Sequence, residues 1–372
     1  MSTKGERESG SLVPGLTLSR LFYESEVRPI LQRHVPELAY AAARIGPGSE
    51  VLGYDDSVST DHHWGPRVQI FLRDEDVERA VPVIDRALRD ELPPTFMDYS
   101  TNFGPPDELG VRLPQPRASG PIDHFVSIDG INAFFTTYLG WNPASEPSIA
   151  DWLTIPEHRL LAVTSGAVFD DPAGQLGEVR AELSWYPRDL WIYLLAAGWQ
   201  RIAEVEAFVG RAGDVGDDLG SRLIAARLVK DSMRLCFLME RRYAPYDKWF
   251  GTAFRSLNCS EGMLPLLEQA LTESSWEDRE RAIGTIASRL VAIHNALGLT
   301  APLPDVPSPF HSRPYQVIHA ERIARALYDA ITDDDIRRLP PHLGSVNQLI
   351  DSTDKVEPGG LARSLRSIYV QR

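Results

Sequence analysis

The chain has 372 residues, 43% hydrophobic and 24% charged, a globular balance that excludes a wholly disordered or collagen-like polymer. Its 52 Asp and Glu outnumber its 38 Lys and Arg, and the resulting net charge of −14 argues against nucleic acid as a partner and against docking on anionic membranes. Cys236 and Cys259 are too few for a disulfide framework, Met1–Ser11 lacks the apolar centre of a signal peptide, and the longest apolar run, Leu190–Trp199, is well short of a membrane span, so the expected location is the cytoplasm.

After a loose start, Leu18, Leu21, Phe22, Val27, Ile30 and Leu31 predict a helix from about Leu18 to Val35, with Thr17 as N-cap and a kink at Pro29. Ala-rich Glu37–Ile45 follows and ends in the break Gly46-Pro47-Gly48-Ser49. Arg67–Leu72 alternates and reads as a strand, and Asp74-Glu75-Asp76 opens a helix carried by Val77, Ala80, Val81, Ile84 and Leu88. Residues 96–120 read as an irregular crossover, His124–Asp129 as a short strand, Ile131–Leu139 as a helix and Val163–Phe169 as a further strand. Beyond that the pattern is helical. Leu190–Phe208 is apolar on most faces, with Asp189 as its N-cap, and Leu219–Arg242, Glu277–Leu297 and His319–Ile331 follow, the last after a Pro-rich linker over Ala301–Pro314. The expected domains are 15–175, mixing strands and helices, and 176–372, helical.

The chemistry-bearing residues concentrate between Gly48 and Arg67. Gly48 lets backbone approach a ligand and Ser49 offers a hydroxyl and an N–H, so this turn can cradle phosphate oxygens; a plain loop is the alternative. Asp61 and His63 sit two apart, on one face of an extended segment, and a carboxylate beside an imidazole is a credible divalent-metal pair. A turn residue at Asp61 and a structural histidine at His63 are the alternatives. Arg67 shares their parity and could meet a phosphate, Trp64 reads as core, and Asp55-Asp56 as a solvated turn. Later, Arg242, Tyr243 and Lys248 crowd one corner of Arg241–Phe250, where aromatic faces can stack a base and cations can neutralise phosphate. The alternative there is an anchor where helices meet. Lysine occurs only at Lys4, Lys230, Lys248 and Lys355, which makes its use at Lys248 informative.

The Gly48-Ser49 pair followed by Asp61-x-His63 resembles the nucleotidyltransferase superfamily that includes DNA polymerase beta and the antibiotic nucleotidyltransferases, where a Gly-Ser pair precedes Asp-x-Asp on a strand. The string Gly48-Ser49-Glu50-Val51-Leu52-Gly53-Tyr54-Asp55, with Asp61-His62-His63-Trp64-Gly65-Pro66-Arg67 and Arg241-Arg242-Tyr243-Ala244-Pro245-Tyr246-Asp247-Lys248-Trp249-Phe250, resembles more narrowly the bacterial domain of unknown function 4037 family, from about Leu21 to Leu257. The resemblance implies an α/β (α+β) nucleotidyltransferase-like mixed-sheet domain followed by a mainly α-helical one. It implies transfer of a nucleoside monophosphate from an NTP to a small-molecule or protein acceptor, with Mg²⁺ or Mn²⁺ as cofactor.

In that scheme Asp61 and His63 hold metal, and Asp129, with Asp98 second, supplies the third carboxylate of the catalytic set. Gly48, Ser49, Arg67, Arg242, Tyr243 and Lys248 hold the nucleotide. The sequence departs from the superfamily at His63, where a second acid is the rule, and Trp64-Gly65-Pro66 intervenes before the strand. Two rival readings follow: an inactive nucleotide-binding or regulatory module of the same fold, and a phosphohydrolase built on Asp61, His62, His63 and His34 or His124.

Overall fold

The structure is a computed structural model that describes residues 13–56, 64–108, 110–353 and 361–370, with side chains at 361–363 excepted; Asp61, His62 and His63 lie outside the described residues. The chain divides into two compact units. The first comprises residues 1–146 and 159–184, the second residues 147–158 and 185–372. The expected class holds: a mixed-sheet unit and a helical one.

In the first unit, α1 (Gly15–Phe22) and α2 (Arg28–His34) are joined by a π-helical turn, Tyr23–Val27. This is the irregularity expected at Pro29, displaced upstream. Pro29 has no N–H to donate and its ring crowds the carbonyl four residues back, so the preceding turn widens. The first helix also starts earlier than the pattern predicts. Pro14 sits at its N-cap, and the Gly15 N–H donates to Asp55 Oδ2 at 2.7 Å. Trp64 Nε1 donates to the same oxygen at 3.1 Å, so Asp55 is an anchor and not a solvated turn.

The strands are β1 (Tyr40–Arg44) and β2 (Val68–Leu72), then β3 (Thr95–Phe96) and β4 (Tyr99–Ser100) as a separate hairpin, then β5 (Val126–Gly130) and β6 (Ala167–Asp170). Among the described residues the main sheet has the order β5-β2-β1-β6; β1 runs antiparallel to both its neighbours and β2 is parallel to β5. Parallel neighbours need a crossover. Here it contains α3 (Asp74–Glu91), whose Ala80, Ile84, Ala87 and Leu88 join the core. That core takes one face of the sheet, through Ala42, Val68, Ile70, Leu72 and Val126, together with Phe22, Tyr23, Val27, Ile30 and Leu31. By the strand period of two, Arg67, Gln69, Ser127 and Asp129 fall on the other face.

Helices α4 (Ile131–Leu139), α5 (Ile149–Thr154), α6 (Glu157–Thr164) and α7 (Gln175–Glu182) complete the first half of the chain. The strand expected over Val163–Phe169 is formed only from Ala167, its first two residues being the end of α6. The left-handed Gly166, φ +71°, ends that turn, and β6 begins only at Ala167.

The second unit is built on α8 (Arg188–Ala203), buried on nearly all sides, as its all-round apolar sequence demands. Asp189 is not its cap. The Asp189 carboxylate instead accepts from the N–H groups of Thr332 and Asp333, at 2.6 and 2.7 Å. Around it stand α9 (Phe208–Asp214), α10 (Asp218–Met239), α11 (Asp247–Phe254), α12 (Ser260–Thr272), α13 (Trp276–Ala296) and α14 (Ala320–Asp329). The Pro-rich linker carries the small pair β7 (Ser308–Pro309) and β8 (Gln316–Val317). Short α15 (Asp334–Arg337) and α16 (Val346–Leu349) precede α17 (Leu361–Tyr369). No described helix is long and apolar enough to cross a membrane.

Candidate phosphate-binding site

β1 ends at Arg44, and the chain turns through Gly46 and Gly48 into a short 3₁₀ turn, Glu50–Leu52. The turn is pinned by backbone: Gly46 N–H donates to the Ala162 carbonyl at 2.9 Å, and Gly166 N–H to that of Val51 at 3.0 Å. Ile45 N–H donates to Gln69 Oε1 at 2.7 Å, which ties the turn to the polar face of β2.

Beneath the turn lies a buried charge group. Arg44 is 1% exposed and Glu50 4%. Arg44 Nε and Nη2 both donate to Glu50 Oε1, at 2.9 and 2.6 Å, while Nη1 donates to the Ile45 carbonyl at 2.8 Å and Nη2 also to that of Pro47. Arg67 Nη1 stands 3.5 Å from the same Glu50 oxygen, and its guanidinium carbon lies 4.5 Å from the centre of the Phe125 ring. Gly48 is required here. Its φ is +142°, and a Cβ would come within 2.4 Å of Glu50 Oε2 and 2.6 Å of Arg44 Nη2.

Two guanidinium groups thus share one carboxylate in a water-poor setting. The Arg67 pKa falls to about 9 through burial first and the Arg44 charge second, with Glu50 opposing. Arg44 and Glu50 were not among the residues expected from sequence. Their signal was an Arg closing an Ala run and a Glu directly after Gly-Ser, six positions apart.

The structure brings Gly48, Ser49 and Arg67 together around Glu50. Asp129 stands apart from them along the sheet. Ala43 pairs with Gln69 and Gln69 with Ser127, whereas Asp129 pairs with Phe71, two residues or about 7 Å farther from the turn. Burial raises the Asp129 carboxyl above the usual range, a hydrogen bond to Ser127 opposing. Asp98 occupies the exposed turn between β3 and β4 with φ +67°. Asp61 and His63, the expected metal ligands, lie outside the described residues. Among the described ones, no group of three His, Cys, Asp or Glu could hold a metal ion. His34 contacts Glu91, and His124 Nδ1 accepts from the Val126 N–H at 3.2 Å.

Arg242, Tyr243 and Lys248 belong to the second unit. Arg242 is exposed and its Nη1 donates to the Ser256 carbonyl at 3.2 Å. Tyr243 is 4% exposed and packs against the rings of Trp185 and Tyr186, at 4.9 and 5.2 Å. Lys248 is exposed, its Nζ 4.8 Å from the centre of the Trp249 ring.

Residues 152–250 match the family described as "Domain of unknown function (DUF4037)". The resemblance expected from the sequence therefore holds over that segment, which closes on Arg241–Phe250, whereas the Gly48–Arg67 string lies outside it. The chain is also similar to a solved structure of a nucleotidyltransferase-like protein from Exiguobacterium sibiricum 255-15, at 13% identity and a TM-score of 0.33, over 85% of this chain and 91% of that one. No curated protein matches.

Proposed function

We propose that the chain is a nucleotidyltransferase that moves a nucleoside monophosphate from an NTP to a small-molecule or protein acceptor. The observation that carries this reading is the buried Arg44–Glu50–Arg67 group under the Gly48-Ser49 turn. It sets two guanidinium groups beside a turn that backbone can approach closely, as phosphate oxygens require. Gly48 and Ser49 would cradle the phosphates, Arg67 would draw them in, and Arg44 would fix Glu50 and the turn.

The chemistry of phosphoryl transfer is mainly positioning and charge neutralisation. A bound Mg²⁺ or Mn²⁺ would add to that neutralisation. Asp61 and His63 are proposed as its ligands, a carboxylate and an imidazole two positions apart. The acidic whole-chain charge favours a small or protein acceptor over nucleic acid.

The test is incubation of the full chain with α-³²P-labelled NTPs, Mg²⁺ or Mn²⁺, and a cell extract. The expected result is label on an acceptor, with higher yield in Mn²⁺, since imidazole is a softer ligand than Mg²⁺ prefers. His63→Asp should move the preference back towards Mg²⁺. A second reading, a nucleotide-binding module without turnover, rests on His63 standing where an acid is the rule. It predicts NTP binding but no labelled product in either metal, for wild type and His63→Asp alike.

A further inference from the structure

Cys236 and Cys259 are the chain's two cysteines, and the phosphate reading uses neither. Cys236 lies in the last turn of α10 and Cys259 is the N-cap of α12, with α11 between them, all within the helical unit. The end of α10 holds the segment that leads to Cys259. Glu240 N–H donates to the Cys236 carbonyl at 3.0 Å, which sets these two side chains one helical turn apart on one face. The Glu240 carboxylate accepts from the N–H groups of Asn258 and Cys259, at 2.8 and 2.7 Å. Arg242 Nη1 adds its bond to the Ser256 carbonyl. Residues 256–259 are thereby fastened to the turn that carries Cys236, and the two thiols lie within hydrogen-bond reach of each other.

A buried cysteine by itself is a small, inert apolar residue. This pair differs in access. Cys236 is fully buried, whereas Cys259 is partly exposed. The hydrogen bond to Cys259 first, and burial second, push the Cys236 thiol well above its ordinary range, so Cys236 is not the thiol that first meets an oxidant. An accessible thiol with a protected thiol against it has the two parts of a redox couple, one to be oxidised and one to resolve it.

We propose that Cys259 and Cys236 form a reversible disulfide, with hydrogen peroxide as the oxidant. The Cys259 sulfur attacks one peroxide oxygen as the O–O bond breaks. An S–OH group forms, and the departing oxygen takes the thiol proton and leaves as water. The Cys236 sulfur then attacks the Cys259 sulfur. The S–O bond breaks, the S–S bond forms, and the hydroxyl leaves with the Cys236 proton as a second water. Two thiols give up two electrons, and one peroxide takes them. A dithiol reductant reverses the change by thiol–disulfide exchange. The bond closes a ring over residues 236–259, which contains α11 and all of Arg241–Phe250.

The experiment exposes the reduced full chain, without nucleotide, to hydrogen peroxide, stops the reaction with catalase, blocks free thiols with iodoacetamide and maps tryptic peptides by mass. In wild type the expected result is loss of both free thiols and a link between peptides 235–241 and 256–279 of one chain. Both thiols should return after dithiothreitol. Cys236→Ala removes the resolving thiol and should leave Cys259 as a sulfenic acid that dimedone traps. Cys259→Ser should leave Cys236 reduced under the same exposure. Wild type that keeps both thiols, a link between two chains in place of the internal one, Cys259 carried to sulfinic acid beside a free Cys236, or Cys236 oxidised as fast in Cys259→Ser as in wild type would each overturn the inference. If Cys236→Ala fails to fold, wild type and Cys259→Ser decide. Because no nucleotide is present, failure here leaves the transferase reading to its own test.

Discussion

Arg44 and Arg67 lean on one carboxylate, yet their replacement should have opposite consequences. Arg44 satisfies Glu50 and the carbonyls of Ile45 and Pro47 from a fully buried position. Arg44→Met would break the buried pair, leaving Glu50 only Arg67 at 3.5 Å and the Ile45 carbonyl without its guanidinium donor, and should destabilise the chain by about 3–5 kcal/mol. Arg67→Met removes that cation and keeps both Arg44–Glu50 hydrogen bonds. Its melting temperature should stay close to wild type, while the stabilisation given by added NTP or tripolyphosphate should vanish. Thermal melts with and without the anion check both. A wild-type-sized anion shift in Arg67→Met would mean the phosphates bind elsewhere.

A second residue gives a pH prediction. His294 on α13 is wholly buried, bonds Thr300 Oγ1 at 3.1 Å, and has its pKa lowered to about 4 by burial. The unfolded value is ~6.5. Between those limits the unfolded chain binds a proton that the native chain refuses, so stability falls as pH drops from 6.5 towards 4. The slope from this group is at most about 1.4 kcal/mol per pH unit. Denaturant melts across that window should show it, and His294→Gln should flatten it; an equally steep profile in the variant would falsify the assignment.

At the level of elements, legibility followed side-chain chemistry. The helix at Asp74–Glu91 was readable because its acidic first turn and apolar spacing agree, and β2 because Val68, Ile70 and Leu72 alternate cleanly. β1 carries no such signal. Tyr40-Ala41-Ala42-Ala43-Arg44 carries no alternation, and Ala favours helix over strand in isolation. It is a strand because it pairs on both edges and packs Ala42 into the core on one face. That missed strand hid the site's floor, since Arg44 is its last residue. Gly48, Ser49 and Arg67 were legible through turn chemistry and parity; their convergence on Glu50 needed the register. Ala42→Val tests the packing. Ala42 is fully buried in the core, so two added methyls should cost roughly 1–3 kcal/mol, seen as a lower denaturation midpoint with unchanged slope. A neutral substitution would mean that the core beside β1 is loosely packed.

The whole chain follows a path that its sequence does not announce: it enters the second unit at Pro147, returns to the first at Arg159 and re-enters the second at Trp185. Residues 147–158 are therefore part of the helical unit's own packing. Within them, Ser148 and Asp151 form a capping box at the start of α5, Asp151 also accepts from Arg366 of α17, and the Trp152 ring, 4% exposed, meets Tyr186 at 5.5 Å. Losing a buried Trp costs roughly 3–5 kcal/mol, and the half-exposed ion pair adds about 1 kcal/mol at most. Against a typical stability of about 5–15 kcal/mol, that is a large share. A fragment of residues 185–372 should accordingly keep much helical circular dichroism but melt without a sharp transition. A synthetic 147–158 peptide should restore cooperativity, and the same peptide with Trp152→Ala should not. If the fragment alone melts as sharply and as high as the intact chain, the inserted segment contributes nothing to the unit, and the helical core is closed without it.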